Sequence, residues 1–156
     1  MIEAPSELPP PRNPALVRVV ATAAYLAAII ALWGFGSLLL GRDSAGQPGV
    51  GPLLVPAMAL AACVDNLLSL ARSGRMARWV RALASAVLAH AGMLLCVAAW
   101  YPLNVSSSDW SWFLLALFVY AINPFVIAAA LLSGVTVLLA AAFTRREERK
   151  RLSSST

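Results

Sequence analysis

The stretch Trp110–Thr144, WSWFLLALFVYAINPFVIAAALLSGVTVLLAAAFT, contains no charged residue and ends at Arg145-Arg146. One straight helix over it would be about 52 Å long, against a hydrocarbon core of about 30 Å. Counting back from the arginine stop gives a crossing that begins near Pro124. Asn123-Pro124 reads as a helix start, with Asn as N-cap and Pro as the first helical residue. It reads equally as a proline kink in one long helix. On the first reading Trp110–Ile122 is too short to cross and forms an interfacial or re-entrant segment.

Three more apolar runs precede it: Ala15–Leu40, Pro52–Ala71 and Trp79–Trp100. The segments between them are a Gly- and Pro-containing loop (Gly41–Gly51), a short basic turn (Arg72–Arg78) and a polar loop (Tyr101–Asp109). Hydrophobic residues make up 60% of the chain and charged residues 12%, against roughly 25% charged in a soluble domain. A soluble fold of this length has too little interior for that much apolar surface, so the bilayer takes it. The expected fold class is all-α integral membrane: a four-transmembrane-helix bundle, its last helix kinked or preceded by an interfacial segment. The Pro-rich residues 1–14 read as a disordered tail. Residues 15–144 form the membrane domain, and 145–156 a basic tail. Glu3 and Glu7 argue against a signal-peptide n-region at the start.

Charge orients the spans. Arg12 and Arg18 flank the first, Arg72, Arg75, Arg78 and Arg81 surround the second turn, and Arg145, Arg146, Arg149, Lys150 and Arg151 follow the last. Four crossings put every basic cluster on the cytoplasmic side, with both termini inside (N-in/C-in). Five would send the basic tail out. Trp33, Trp100, Trp110 and Trp112 then fall at the outer interface as an aromatic belt. The net charge of +5 therefore serves anchoring, not nucleic-acid binding. Arg72, Arg75, Arg78, Arg145 and Arg146 are positioned for anionic lipid headgroups, at about 1 kcal/mol per base. An Ala-rich chain whose basic residues are all Arg except Lys150 suggests a GC-rich bacterial genome, and the expected location is the bacterial cytoplasmic (plasma) membrane, multi-pass.

Polar side chains inside the spans are the functional lead, because each is costly in lipid. Arg18, Thr22 and Tyr25 share one face of the first span, and Asp65, Ser69 and Arg72 share one face of the second. In the third, Arg81 and Ser85 continue along one stripe to Gly92 and Cys96. Thr22, Asp65 and Ser85 fall at one depth, about 10–12 Å from their helix ends. The candidate intramembrane cluster is Arg18, Thr22, Tyr25, Asp65, Arg81 and Ser85. Asp65 is either a structural pin paired to Arg18 or Arg81, or an ion, proton or anion site; the pin is the simpler explanation. Asn66 lies on a neighbouring face and suits an interhelical hydrogen bond. His90 lies mid-span near the depth of Asn123, and the two form a secondary polar pair. A metal site needs more N, S or carboxylate ligands than this chain, with one histidine and two cysteines, offers in one place, and no cofactor signature is present. Cys63 and Cys96 differ in depth by about 10 Å and are expected as free thiols. The first and third spans also open on similar hexads, Arg18-Val-Val-Ala-Thr-Ala and Arg81-Ala-Leu-Ala-Ser-Ala.

The layout resembles that of the small, functionally uncharacterised four-span membrane proteins of high-GC bacteria. The resemblance is carried by LWGFGSLLL (Leu32–Leu40) and by Asn123-Pro124-Phe125-Val126-Ile127 ahead of an Ala- and Leu-rich span. It implies an architecture and no activity. No nucleophile–base pair or phosphate loop supports an enzyme. Two classes remain. One is an accessory, assembly or interaction subunit that packs against other membrane proteins or itself. The alternative is an oligomeric transporter or channel for ions or small solutes, using Asp65, His90 and Asn123.

Overall fold

The computed structural model describes residues 13–40, 53–71, 77–104 and 110–154, and among them every element is a helix. These are α1 (Pro14–Leu40), α2 (Leu54–Ala71), α3 (Arg78–Asn104), α4 (Trp110–Ala121) and α5 (Pro124–Ser154). Four segments are long and apolar enough to cross a membrane: Ala15–Leu39, Leu54–Ala71, Arg78–Leu103 and Pro124–Arg146. They coincide with the spans expected from hydropathy to within a few residues. The expected N-terminal tail and first loop, with Arg72 and Arg75, lie outside the described residues.

The long apolar stretch is divided. α4 ends at Ala121 and α5 starts at Pro124. The Asn123 side-chain oxygen accepts the Phe125 N–H at 2.9 Å, which makes Asn123 the N-cap, and Pro124 takes the first helical position, where a missing N–H costs least. Two ends differ from expectation. α3 runs on through Pro102 to Asn104; so near the helix end, proline forfeits little beyond its own hydrogen bond. α5 continues past Thr144 through RREERKRLSS to Ser154, so the basic tail is helical that far. That segment is made of good helix formers, and Glu147 stands four residues before Arg151.

α1, α2, α3 and α5 form a closed ring in that order, and α2 also touches α5 across the middle. Neighbours run antiparallel. Tyr25 reaches Ala129 while Trp33, two turns further up α1, reaches Phe125 earlier on α5. Cys96 of α3 reaches Ala57 of α2, and Gly92 meets Asp65. The ring therefore has a basic end, with the starts of α1 and α3 and the exit of α5, and an aromatic end with Trp33, Trp100 and Trp110. α4 packs on α3 at the aromatic end. Phe113 meets Tyr101 edge-on at 6.0 Å between ring centroids, and Trp110 at 5.6 Å. Ala116 and Tyr120, one and two turns on, are buried.

The core follows helical spacing. It comprises Tyr25, Ile29 and Trp33 of α1, Leu54, Met58 and Ala62 of α2, Ala89, Met93 and Val97 of α3, and Val126, Ala129 and Ala130 of α5. Small residues set the closest approach. A Cβ added to Gly134 would stand 2.8 Å from the Ala82 carbonyl oxygen, so α3 and α5 touch backbone to backbone there.

Candidate functional site

Inside this ring sits a polar core built from four helices. Its centre is Ser133 of α5. The Ser133 hydroxyl lies 2.7 Å from the Ser85 hydroxyl and accepts the Asn66 amide N–H at 2.9 Å. The same amide reaches the Ser133 carbonyl at 3.3 Å. Asn66, Ser85 and Ser133 are fully buried. The Tyr25 hydroxyl donates to the Ala129 carbonyl at 3.0 Å and lies beside Ser133. Trp33 donates its indole N–H to the Phe125 carbonyl at 3.3 Å. Phe125, Ala129 and Ser133 are spaced by four, so their carbonyls form one row along α5. Each keeps a second lone pair after its helical bond, and that pair takes the side chain. Donors from α1 and α2 are thus laced onto a single stripe of α5 backbone, exposed where the side chains are small.

Asp65 stands one residue from Asn66 and therefore faces about 100° away from it. Its carboxylate lies directly against Gly92 of α3, where a side chain on residue 92 would collide with it. Asp65 is also within electrostatic range of Tyr25 and Cys96. Gly92 lies about three turns, roughly 16 Å, along α3 from Arg81. That distance is too long for Arg81 to be Asp65's ion-pair partner in this arrangement.

Of the candidate cluster, then, Tyr25, Ser85 and Asp65 border one polar core, with Ser85 and Tyr25 both meeting α5. Thr22 and Arg81 sit lower, each with a buried polar atom that finds no hydrogen-bond partner. Arg18 is half-buried a further turn down α1. Asn123 serves as the α5 cap, and His90 is half-buried at mid-α3. Cys63 and Cys96 are both free. Ser133 was the residue missed. Its span shows no other polar side chain one turn before it, and only the adjacent Ala130/Gly134 pair hints that this face meets another helix closely. Asn66, read as lying off the cluster's face, is part of its centre.

A model of a family of unknown function, DUF6121, matches residues 10–154. The chain belongs to DUF6121. No curated protein and no solved structure matches it. The match takes in all five helices of this DUF6121 chain, so the laced core and the Asn123-Pro124 junction both fall inside the family's extent. Chemically, the core of this bundle is a set of neutral hydrogen-bonding groups around Ser133, bordered by the Asp65 carboxylate. Among the described residues no three His, Cys, Asp or Glu side chains gather in a metal-binding group.

Proposed function

We propose that this protein is an interaction subunit of a membrane complex, and that α1 presents the face on which an apolar transmembrane helix of another protein docks. The observation that carries this is the uneven covering of the ring. Only 11% of the α1 span is buried inside the bundle, against 33% of each of the other three. Its outward stripe consists of Ala24, Ala27, Ala31 and Gly34, and nothing stands within 4 Å of a Cβ added to Gly34. Large residues flank this stripe on α1, among them Val20, Ile30 and Phe35, and face outward on α3 and α5, among them Leu83, Val87, Leu131 and Val135. Large side chains suit lipid, whereas small ones let a second backbone approach. An apolar groove beside the stripe, lined by Ala28, Ala31, Phe35, Gly36, Phe125 and Ala128, offers holes for a partner's side chains.

In this reading the protein is a multi-pass protein of the bacterial plasma membrane with the basic end of the ring in the cytoplasm. The positive-inside rule supports that orientation. Exposed Arg78, Arg145 and Arg146 then meet anionic headgroups, and α4 lies at the opposite interface with its aromatic residues. Reporters fused after Thr156 and within 73–75 are expected to read cytoplasmic, and those within 44–47 and 106–108 external. A cytoplasmic signal at 106–108 would overturn the four-span orientation.

The test of the function is purification in mild detergent, with and without Gly34→Leu. Co-purification of a foreign membrane protein with the wild type, and its loss with Gly34→Leu, supports the subunit reading. A stable homo-oligomer favours the transport alternative built on Asp65, His90 and Asn123. A monomer with no companion overturns both.

A further inference from the structure

α5 does not stop where its apolar run ends. It passes Arg145-Arg146 and stays helical to Ser154, so Ser153 is held about 10 Å beyond Arg146 along the axis. Both Arg146 and Ser153 are exposed. Positions 149 and 150 lie between them at three- and four-residue steps, so all four share one helix face. Along that face the sequence reads Arg146, Arg149, Lys150, Ser153.

Ser153 closes the run Arg149-Lys150-Arg151-Leu152-Ser153. A hydroxyl with bases three and two residues before it is the pattern that a protein kinase with an acidic cleft selects, because each base pairs there with a carboxylate. Ser154 matches less well, with Leu152 two residues before it. Thr144, also exposed on α5, precedes all of these bases, and its hydroxyl donates to the Ala140 and Ala141 carbonyls. Ser153 lies in the last turn of α5, where the carbonyls have no helical partner. Such a turn opens at little cost, as entry into a kinase cleft requires.

We propose that Ser153 is a phosphorylation site, and that its phosphate releases the basic arm 145–151 from anionic headgroups. This rests on the reading that the basic end faces the cytoplasm, where nucleoside triphosphates and protein kinases are found. The Ser153 oxygen displaces ADP from the γ-phosphorus of ATP. One P–O bond forms, one breaks, and the hydroxyl proton passes to the carboxylate base of the kinase. The arm holds five bases and two acids. A phosphate adds a charge of about −1.5 to −2, which offsets most of that excess. It stands within about one Debye length of Arg146, so it meets the same surface potential and is repelled by it. At a helix C-terminus its charge also opposes the macrodipole and loosens the last turn.

The experiment uses the full chain in nanodiscs, one set of equal parts phosphatidylglycerol and phosphatidylcholine, the other of phosphatidylcholine alone. A dye on Thr156→Cys, with Cys63→Ala and Cys96→Ala removing the other thiols, reports energy transfer to an acceptor on the lipid headgroups. ATP and a serine/threonine kinase selective for bases at those two positions should add one phosphate, placed at Ser153 by fragment masses. Transfer should then fall in the phosphatidylglycerol discs and stay unchanged in the others. Lys150→Gln with Arg151→Gln should slow phosphate uptake by about tenfold or more, the worth of one charged hydrogen bond. The chain isolated from its own cells with phosphatase inhibitors should yield the same phosphopeptide. The proposal is overturned if Ser153→Ala takes up phosphate at the wild-type rate, or if neither growing nor resting cells yield the phosphopeptide. It is overturned equally if phosphorylation leaves transfer unchanged in the phosphatidylglycerol discs. A reporter after Thr156 that reads external overturns both this proposal and the orientation. One that reads cytoplasmic while Ser153 stays unmodified overturns this proposal alone.

Discussion

α1 and α3 open on nearly the same hexad, Arg18-Val-Val-Ala-Thr-Ala and Arg81-Ala-Leu-Ala-Ser-Ala, yet they occupy opposite situations in the bundle. α3 is wrapped by α2, α4 and α5, while α1 leaves its small-residue stripe uncovered. The hydroxyl of Ser85 is bonded to Ser133, and the hydroxyl of Thr22, at the matching position, has no partner. The difference does not lie in either hexad. It lies in what the facing helix offers at that height. Opposite α3, α5 presents Ser133 and Gly134, so Ala82 and Ala86 can come against its backbone. Opposite α1, α5 presents Phe125 near the aromatic end, whose ring lies against Gly36, and contact is made through Trp33 and Tyr25 instead. Small residues draw helices together only where both helices have them at one level.

That comparison is most directly broken at its two glycines. Gly134→Leu should be the most damaging single change, costing about 2 kcal/mol or more, because its Cβ meets a carbonyl oxygen that cannot swing away. Chemical unfolding in detergent measures it, and a cost under about 0.5 kcal/mol would mean that α3 and α5 are not in backbone contact. Next is Ser133→Ala, which leaves Ser85 without its partner and Asn66 with the Ser133 carbonyl alone. About 1 kcal/mol is expected, in line with interhelical hydrogen bonds in membranes. Ser85→Ala in the Ser133→Ala background should then add little, and full additivity would show that the two hydroxyls do not interact.

Gly92→Ala sharpens the picture by a change of sign. With Asp65 in place the new methyl displaces the carboxylate, and a loss of about 1 kcal/mol is expected. In an Asp65→Ala background the same change should be neutral or stabilising by up to about 1 kcal/mol, because alanine is the better helix former. Equal losses in both backgrounds would show that Asp65 does not need the space at Gly92. The smallest effect on the isolated bundle belongs to Gly34→Leu, within about 0.5 kcal/mol, since that site is open. A large destabilisation there would show that α1 is covered within the bundle itself.

What sequence made legible was local. The four apolar spans follow from composition and length. The division at Asn123-Pro124 follows from cap chemistry that needs no neighbour. The basic segment RREERKR is recognisable as a charged tail, and its Glu147–Arg151 spacing supports the helix that carries it to Ser154. The polar core was half legible. Tyr25, Asp65 and Ser85 were marked because polar residues in spans are rare. Ser133 is equally rare, but its importance depends on which turn of α3 it meets. Interhelical register is a tertiary quantity, and nothing in the order of residues along α5 encodes the height of Ser85. The same limit hides the contact of the Asp65 carboxylate with Gly92, a residue with no side chain to mark it.

The position of Ser133 on the last span has a consequence for biogenesis. A ribosome delivers Tyr25, Asn66 and Ser85 first and the α5 backbone that receives them last. Until α5 enters, the earlier spans hold a phenol, an amide and a hydroxyl in hydrocarbon without the acceptors they use in the finished bundle, each a liability worth about 1–3 kcal/mol. A nascent chain that stops before Pro124 thus retains exposed polar handles of the kind that membrane chaperones and proteases recognise. The order of synthesis makes the last helix the one that conceals them.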